Sequence, residues 1–137
     1  FNAITEPLLL QLEAKPGLTI RHGDVCQNVS SLAFADDLIL LADRPADATE
    51  LLRLSEDFFE SLGMAIAPSK CKAFEVRTRG KSWFVKDPEL YFSNAERVEP
   101  AGADDEIQYL GCKISPWRGI DIRSVHSDMV NTLGRVK

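Results

Sequence analysis

Residues 32–42 read Leu32-Ala33-Phe34-Ala35-Asp36-Asp37-Leu38-Ile39-Leu40-Leu41-Ala42, two apolar half-strands interrupted by adjacent acids. Neighbouring side chains on a strand point to opposite faces, so the two carboxylates converge only if the chain turns between the half-strands. The turn then carries the acids at its tip, fixed by apolar runs on both sides as a preorganised site requires. Two carboxylates about 4 Å apart repel by roughly 4 kcal/mol at an effective dielectric of about 20, a large share of a domain's stability. A positive partner is expected there. Carboxylates, water and phosphate oxygens are the ligand set of Mg²⁺, and a pair of such ions stabilises the attacking and leaving oxygens of a phosphoryl transfer. The plain alternative is that Asp-Asp sits at turns because Asp tolerates turn geometry.

Outward from this stretch, Phe1, Ile4, Leu8 and Leu12 fall at helical spacing and predict a helix over residues 1–14. Pro7 removes an amide donor and should kink that helix or move its start to Thr5, and Pro16-Gly17 ends it. Leu18 to Arg21 and Val25 to Val29 flank His22-Gly23-Asp24 as a small hairpin would. After the acids, residues 47–62 predict a second helix, with Asp47 and Glu50 as a capping box and Gly63 as its stop. Its apolar stripe runs through Ala48, Leu51, Leu52, Ser55, Phe58, Phe59 and Leu62. Met64 to Ile66 and Cys71 to Arg77 read as short strands around Pro68-Ser69. Residues 80–105 are polar, are broken by Pro88 and Pro100, and hold one expected strand at Leu90 to Phe92. Ile107 to Ile114 reads as a last strand, and Ile122, Val125, Met129, Leu133 and Val136 as a closing amphipathic helix.

The chain has 137 residues, 45% apolar and 27% charged, which is globular composition and excludes a disordered tail, a collagen repeat or a coiled coil. Its longest apolar run, Leu38 to Ala42, is far short of the roughly 20 residues that cross a bilayer, so a soluble chain is expected. Cys26, Cys71 and Cys112 make no C-x-x-C pair and have only His22 and His126 as imidazole partners, so reduced thiols and no zinc site are expected. The first residue is Phe and no leader pattern precedes the fold, so the chain reads as cut from something longer. The net charge of −5 argues against nucleic-acid binding, yet it is distributed in blocks. Residues 24–60 carry −7 and 87–106 carry −6, while 70–86 carry +5 and 113–137 carry +3. A polyanion would touch only the last two; otherwise such blocks are solvated faces.

Phe34-Ala35-Asp36-Asp37 inside an apolar hairpin resembles the aromatic-x-Asp-Asp motif of reverse transcriptases, and other motifs agree in order. Phe1 to Leu12 resembles the tail of the helix preceding this hairpin in the polymerase palm. Gly63-Met64-Ala65-Ile66-Ala67-Pro68-Ser69-Lys70 resembles the family's G-x-x-x-N-x-x-K segment, with Ala67 in place of Asn. Tyr109-Leu110-Gly111 with Ile114 resembles the primer-grip hairpin that leads into the thumb. That segment and its continuation Ser115-Pro116-Trp117-Arg118-Gly119 most resemble non-LTR retrotransposons, particularly the kind inserting into ribosomal RNA genes.

The resemblance implies an α+β fold: a partial palm over residues 1–115, with helices packed on one face of an antiparallel sheet. The start of a helical thumb would occupy 116–137. Asp36 would be the principal ligand shared by two Mg²⁺ ions, with Mn²⁺ as substitute, and Asp37 the second acid of the pair. Lys70 would approach the incoming nucleotide's phosphates and protonate the leaving pyrophosphate; without the motif it is an ordinary solvated lysine. Phe34 would pack near the primer end, and Tyr109, Leu110 and Gly111 would support the primer strand, although a Tyr-Leu pair on a strand also serves as simple core. RNA template, DNA primer and dNTP are the implied partners, with no membrane, and the nucleus or cytoplasm is the implied location.

The family's site needs a further Asp from an earlier strand, and with it the fingers, so this chain is expected not to polymerise alone. A palm sheet lacking one strand would expose an edge and invite association. Two rival expectations remain. One is a degenerate palm serving as a nucleic-acid-binding or scaffolding module without chemistry, and the other is an unrelated acid-pair phosphotransferase.

Overall fold

The computed structural model describes residues 2–34, 37–109, 112–116 and 119–121. They fall into two compact units, one of residues 1–71 with 88–99 and one of residues 72–87 with 100–137.

In the first unit, α1 (Asn2–Glu13) begins before Thr5 and keeps Pro7 inside it. Its buried face is Thr5, Leu8 and Leu12, whereas Ile4 of the expected stripe is 51% exposed. After it, β1 (Leu18–His22) and β2 (Val25–Val29) form the expected antiparallel hairpin, turning on Gly23 and Asp24. Next come β3 (Ser31–Phe34) and β4 (Asp37–Leu40), antiparallel and in register from Ser31↔Leu40 to Phe34↔Asp37.

The second helix, α2 (Pro45–Ser61), starts two residues earlier than expected because Pro45 supplies a helical φ at its first turn. The N-cap is Arg44, with no side-chain cap, so Asp47 and Glu50 do not form a capping box. Asp47 instead accepts from Arg44 Nε and Nη2 at 3.0 and 3.1 Å. That pairing, by hydrogen bond and then by charge, holds the exposed Arg44 above its ordinary pKa. At the other end, Gly63 N–H donates to the Glu60 carbonyl and Met64 N–H to that of Phe59 at 2.9 and 2.8 Å. These two bonds close the helix in a Schellman motif, with Gly63 at φ +72° as expected of the stop.

Leu8, Leu12 and Leu51 form the core, and Leu38, Leu40, Ala42, Leu54, Phe58 and Phe59 pack around them. Each fully buried leucine is worth roughly 1.5–3 kcal/mol over exposure. Both helices therefore pack on the β3–β4 hairpin. The end of α1 is tied to β2 by Ser30 Oγ donating to the Leu12 carbonyl and by Asn28, which bridges Gly17 N–H and the Lys15 carbonyl. At Gly17 any side chain is excluded, since a Cβ there would lie 2.4 Å from Ser30 Cα.

Met64 to Ile66 is not a strand; the segment leads into a 3₁₀ turn, Pro68–Lys70. Nor is Leu90 to Phe92, where a tight loop carries a single bridge, Tyr91↔Arg97. That loop buries Phe92 and Val98, and Ser93 donates through N–H and Oγ to the Glu56 carboxylate of α2. Within it, the amides of Phe92, Ala95 and Val98 donate to the carbonyls of Glu96, Phe92 and Leu90, and that of Glu96 to Asn94 Oδ1.

In the second unit, the short β5 (Lys72–Ala73) is followed by β6 (Glu75–Arg79) and β7 (Ser82–Lys86), a hairpin where polar loop was expected after Gly80. Beyond β8 (Glu99–Pro100), Ala101 N–H donates to the Ala73 carbonyl at 2.8 Å. The last expected strand is in fact two: β9 (Ile107–Tyr109) and β10 (Cys112–Ser115) pair from Ile107↔Ile114 to Tyr109↔Cys112. A third strand, β11 (Gly119–Asp121), pairs with β10. The closing helix expected over Ile122 to Val136 lies outside the described residues. The class is α+β, but among the described residues the strands form small antiparallel ladders rather than one continuous sheet. β1–β2, β3–β4, β6–β7 and β9–β10 are each separated by two residues, whereas β5 pairs with the distant β8.

Candidate metal and nucleic-acid site

The closing pair Phe34↔Asp37 leaves two positions, 35 and 36, between β3 and β4. Asp36 and Ala35 lie outside the described residues, as does the Phe34 side chain. Side chains of directly paired residues share a face, and successive pairs alternate. Ala33 and Leu38 therefore share one face with Ser31 and Leu40, and it is this face, through Leu38 and Leu40, that meets the leucine core. Asp37 falls on the opposite face with Leu32 and Ile39, and it is exposed. The core thus grips the strand by alternate residues and leaves Asp37 open at the hairpin end. Its oxygens are hard donors of the kind Mg²⁺ selects, so the exposed carboxylate suits a divalent cation. Among the described residues no three His, Cys, Asp or Glu side chains gather into a metal cluster.

Lys70 is the last residue of the 3₁₀ turn and is exposed. The turn is closed by the backbone, with Lys70 N–H on the Ala67 carbonyl at 3.0 Å and Cys71 N–H on that of Pro68 at 3.1 Å. The Cys71 thiol also donates to the Ala67 carbonyl at 3.4 Å, and burial pushes its pKa up. Tyr109 ends β9, while Leu110 and Gly111 lie outside the described residues. The structure therefore brings Phe34 and Asp37 together as a backbone pair and describes Lys70 and Tyr109 separately. What the motif reading missed is the arrangement of the basic block, which β6 and β7 fold into a ribbon. The signal was Gly80-Lys81 between two alternating stretches.

Residues 1–114 match the family model described as reverse transcriptase (RNA-dependent DNA polymerase). The chain belongs to the reverse transcriptase family. This reverse transcriptase segment is 29% identical over 116 residues to a retrovirus-related Pol polyprotein from type-1 retrotransposable element R2 of Popillia japonica. The match covers 84% of this chain and 19% of that protein. It is 23% identical over 125 residues to the corresponding R2 polyprotein of Nasonia vitripennis, 90% of this chain and 12% of the relative. Against the polyprotein of type-2 retrotransposable element R2DM of Drosophila melanogaster it is 27% identical over 112 residues, 81% of this chain and 10% of the relative. The chain thus spans a fifth or less of the length of these curated relatives. No solved structure matches it.

Proposed function

We propose that this chain is the catalytic-hairpin part of the palm of a non-LTR retrotransposon reverse transcriptase of the R2 kind, with the first thumb segment following residue 115. The observation that carries this reading is the β3–β4 hairpin, anchored by Leu38 and Leu40 and ending on an exposed Asp37, within a chain that belongs to the family. Asp36 and Asp37 would hold the divalent ions, Mg²⁺ or Mn²⁺, with a further carboxylate contributed by another segment of the complete enzyme. Such ions, when bound, neutralise charge on the oxygens of nucleotidyl transfer. The chain's own groups orient what surrounds them. Lys70 carries an exposed ammonium toward nucleotide phosphates, Phe34 packs near the primer end, and Tyr109, Leu110 and Gly111 support the primer strand. The partners are RNA template, DNA primer and dNTP, in the nucleus or cytoplasm.

The non-catalytic alternative leans on Ala67, which replaces the family's Asn. Backbone bonds close that turn without a side-chain amide, which weakens the argument. The test is primer extension on an RNA template by a complete reverse transcriptase carrying this segment. Asp36→Asn is expected to abolish synthesis while the enzyme still folds, and the 137 residues alone are expected to extend nothing. Near-normal synthesis by Asp36→Asn would remove that carboxylate from the mechanism.

A further inference from the structure

The β6–β7 ribbon pairs Glu75↔Lys86, Val76↔Val85, Arg77↔Phe84, Thr78↔Trp83 and Arg79↔Ser82. Paired side chains share a face and successive pairs alternate, so Arg77, Phe84, Arg79 and Lys86 line one face together with Ser82 and a single acid, Glu75. Val76, Val85, Thr78 and Trp83 line the other. Arg77, Arg79, Ser82, Phe84 and Lys86 are exposed, with Phe84 at 39%, and Glu75 is half-buried. Arg77 is paired with Glu75, while among the described residues no ion-pair partner holds Arg79 or Lys86. Lys81 adds a further exposed cation at the turn.

This face is unusual for a chain of net charge −5, because residues 70–86 concentrate six bases against one acid. A merely solvated basic face needs no aromatic ring among its charges. Phe84 lies directly across from Arg77, with Lys86 two residues along its own strand and Arg79 diagonally opposite. Cations beside an exposed ring form the pair of features that binds single-stranded nucleic acid, phosphates on the charges and a base on the ring. An apolar protein partner would choose the Val76–Trp83 face instead.

We propose that the Arg77, Phe84, Arg79 and Lys86 face of the β6–β7 hairpin binds single-stranded nucleic acid, with phosphates on the cations and one base stacked on Phe84. The contact uses no metal and does not rest on the acids at 36 and 37, although it shares its class of partner with the function proposed above.

The test is fluorescence anisotropy of labelled oligothymidylate, oligouridylate and a DNA duplex with the 137-residue chain in EDTA, repeated across a salt series. Thermal unfolding confirms that each variant is folded. Arg79→Gln with Lys86→Gln is expected to weaken single-strand binding about ten-fold at low salt and to reduce the log–log salt slope by about 1.4, the share of two phosphate contacts. The charge-matched control Arg21→Gln with Arg53→Gln should change affinity less than about two-fold. Phe84→Ala should weaken binding about five-fold or more, and Phe84→Trp should restore it. The proposal is overturned by an unchanged affinity in the Arg79/Lys86 variant, by an equal loss in the control, by indifference to Phe84→Ala, or by preference for the duplex. Because metal is absent throughout, these outcomes are independent of whether Asp36→Asn stops synthesis.

Discussion

The β3–β4 and β6–β7 hairpins share one construction, two short antiparallel strands joined by two residues, yet they meet their surroundings in opposite ways. The first puts Leu38 and Leu40 against Leu8, Leu12 and Leu51, so one face is anchored while the other presents Asp37. The second is exposed along almost its whole length, and only Glu75 and Val85 are half-buried. A two-stranded ribbon is marginal by itself in water, so its rigidity comes from what it packs on. A hairpin whose chemistry depends on fixed carboxylates needs the anchored form. One that touches a flexible polymer does not.

The largest expected effect comes from breaking the anchor. Leu12 is fully buried, and Leu12→Ala should cost about 2–5 kcal/mol of unfolding free energy by urea titration. Hydrogen exchange should rise in β3 and β4 before it rises in β6 and β7. A cost under about 1 kcal/mol would mean that the hairpin carrying the acids is not held by this core. The counterpart on the other hairpin is Trp83→Ala, at a residue 61% exposed, which should change stability by less than about 0.5 kcal/mol. A larger loss would show that the Trp83 face is covered, and would erase the contrast.

The contrast also explains what could be read from the chain. The antiparallel pairing of the two halves of 32–42 was legible because an apolar run interrupted by acids suits two half-strands with alternate residues on the core, but the place of Asp37 was not: it belongs to β4, opposite Phe34, rather than to the turn. The helix of residues 45–61 was legible from its stripe, but its start was not, because Pro45 at the first turn outweighed the Asp47–Glu50 spacing. The single strand expected over Ile107 to Ile114 proved to be two antiparallel strands, since the apolar run continues across both and hides the break between them. Of the β6–β7 ribbon, the strand expected over Cys71 to Arg77 overlaps β6, whereas β7 falls in the stretch expected to be polar loop; its residues are mostly exposed, and hydrophobic periodicity is strong only where one face is buried. The loop of residues 90–98 escaped for a related reason: its buried residues, Phe92 and Val98, are set by local backbone bonds rather than by a period.

The smallest expected effect separates two thiols. Cys71 is half-buried beside the Ala67 carbonyl, and burial raises its pKa, whereas Cys26 is exposed on β2. The thiolate is the reactive form, so at mildly alkaline pH iodoacetamide should label Cys26 faster, as peptide mass spectrometry would show. A folded pKa above the unfolded one means that the Cys71 contribution to stability is present below the unfolded value and lost as pH rises through the folded one. Equal labelling rates would place Cys71 in open solvent and loosen the turn that presents Lys70.

The acids themselves are tested most directly by following thermal unfolding of the chain while Mg²⁺, and then Mn²⁺, is titrated in, with Asp36→Asn and Asp37→Asn as controls. Binding to the native hairpin alone should raise the midpoint as the ion passes its dissociation constant, reflecting a gain in unfolding free energy of up to about 2.7 kcal/mol at a hundred-fold excess, and each control should flatten the response. Identical midpoints in the native chain and both variants at every ion concentration would contradict a divalent-cation site at residues 36 and 37.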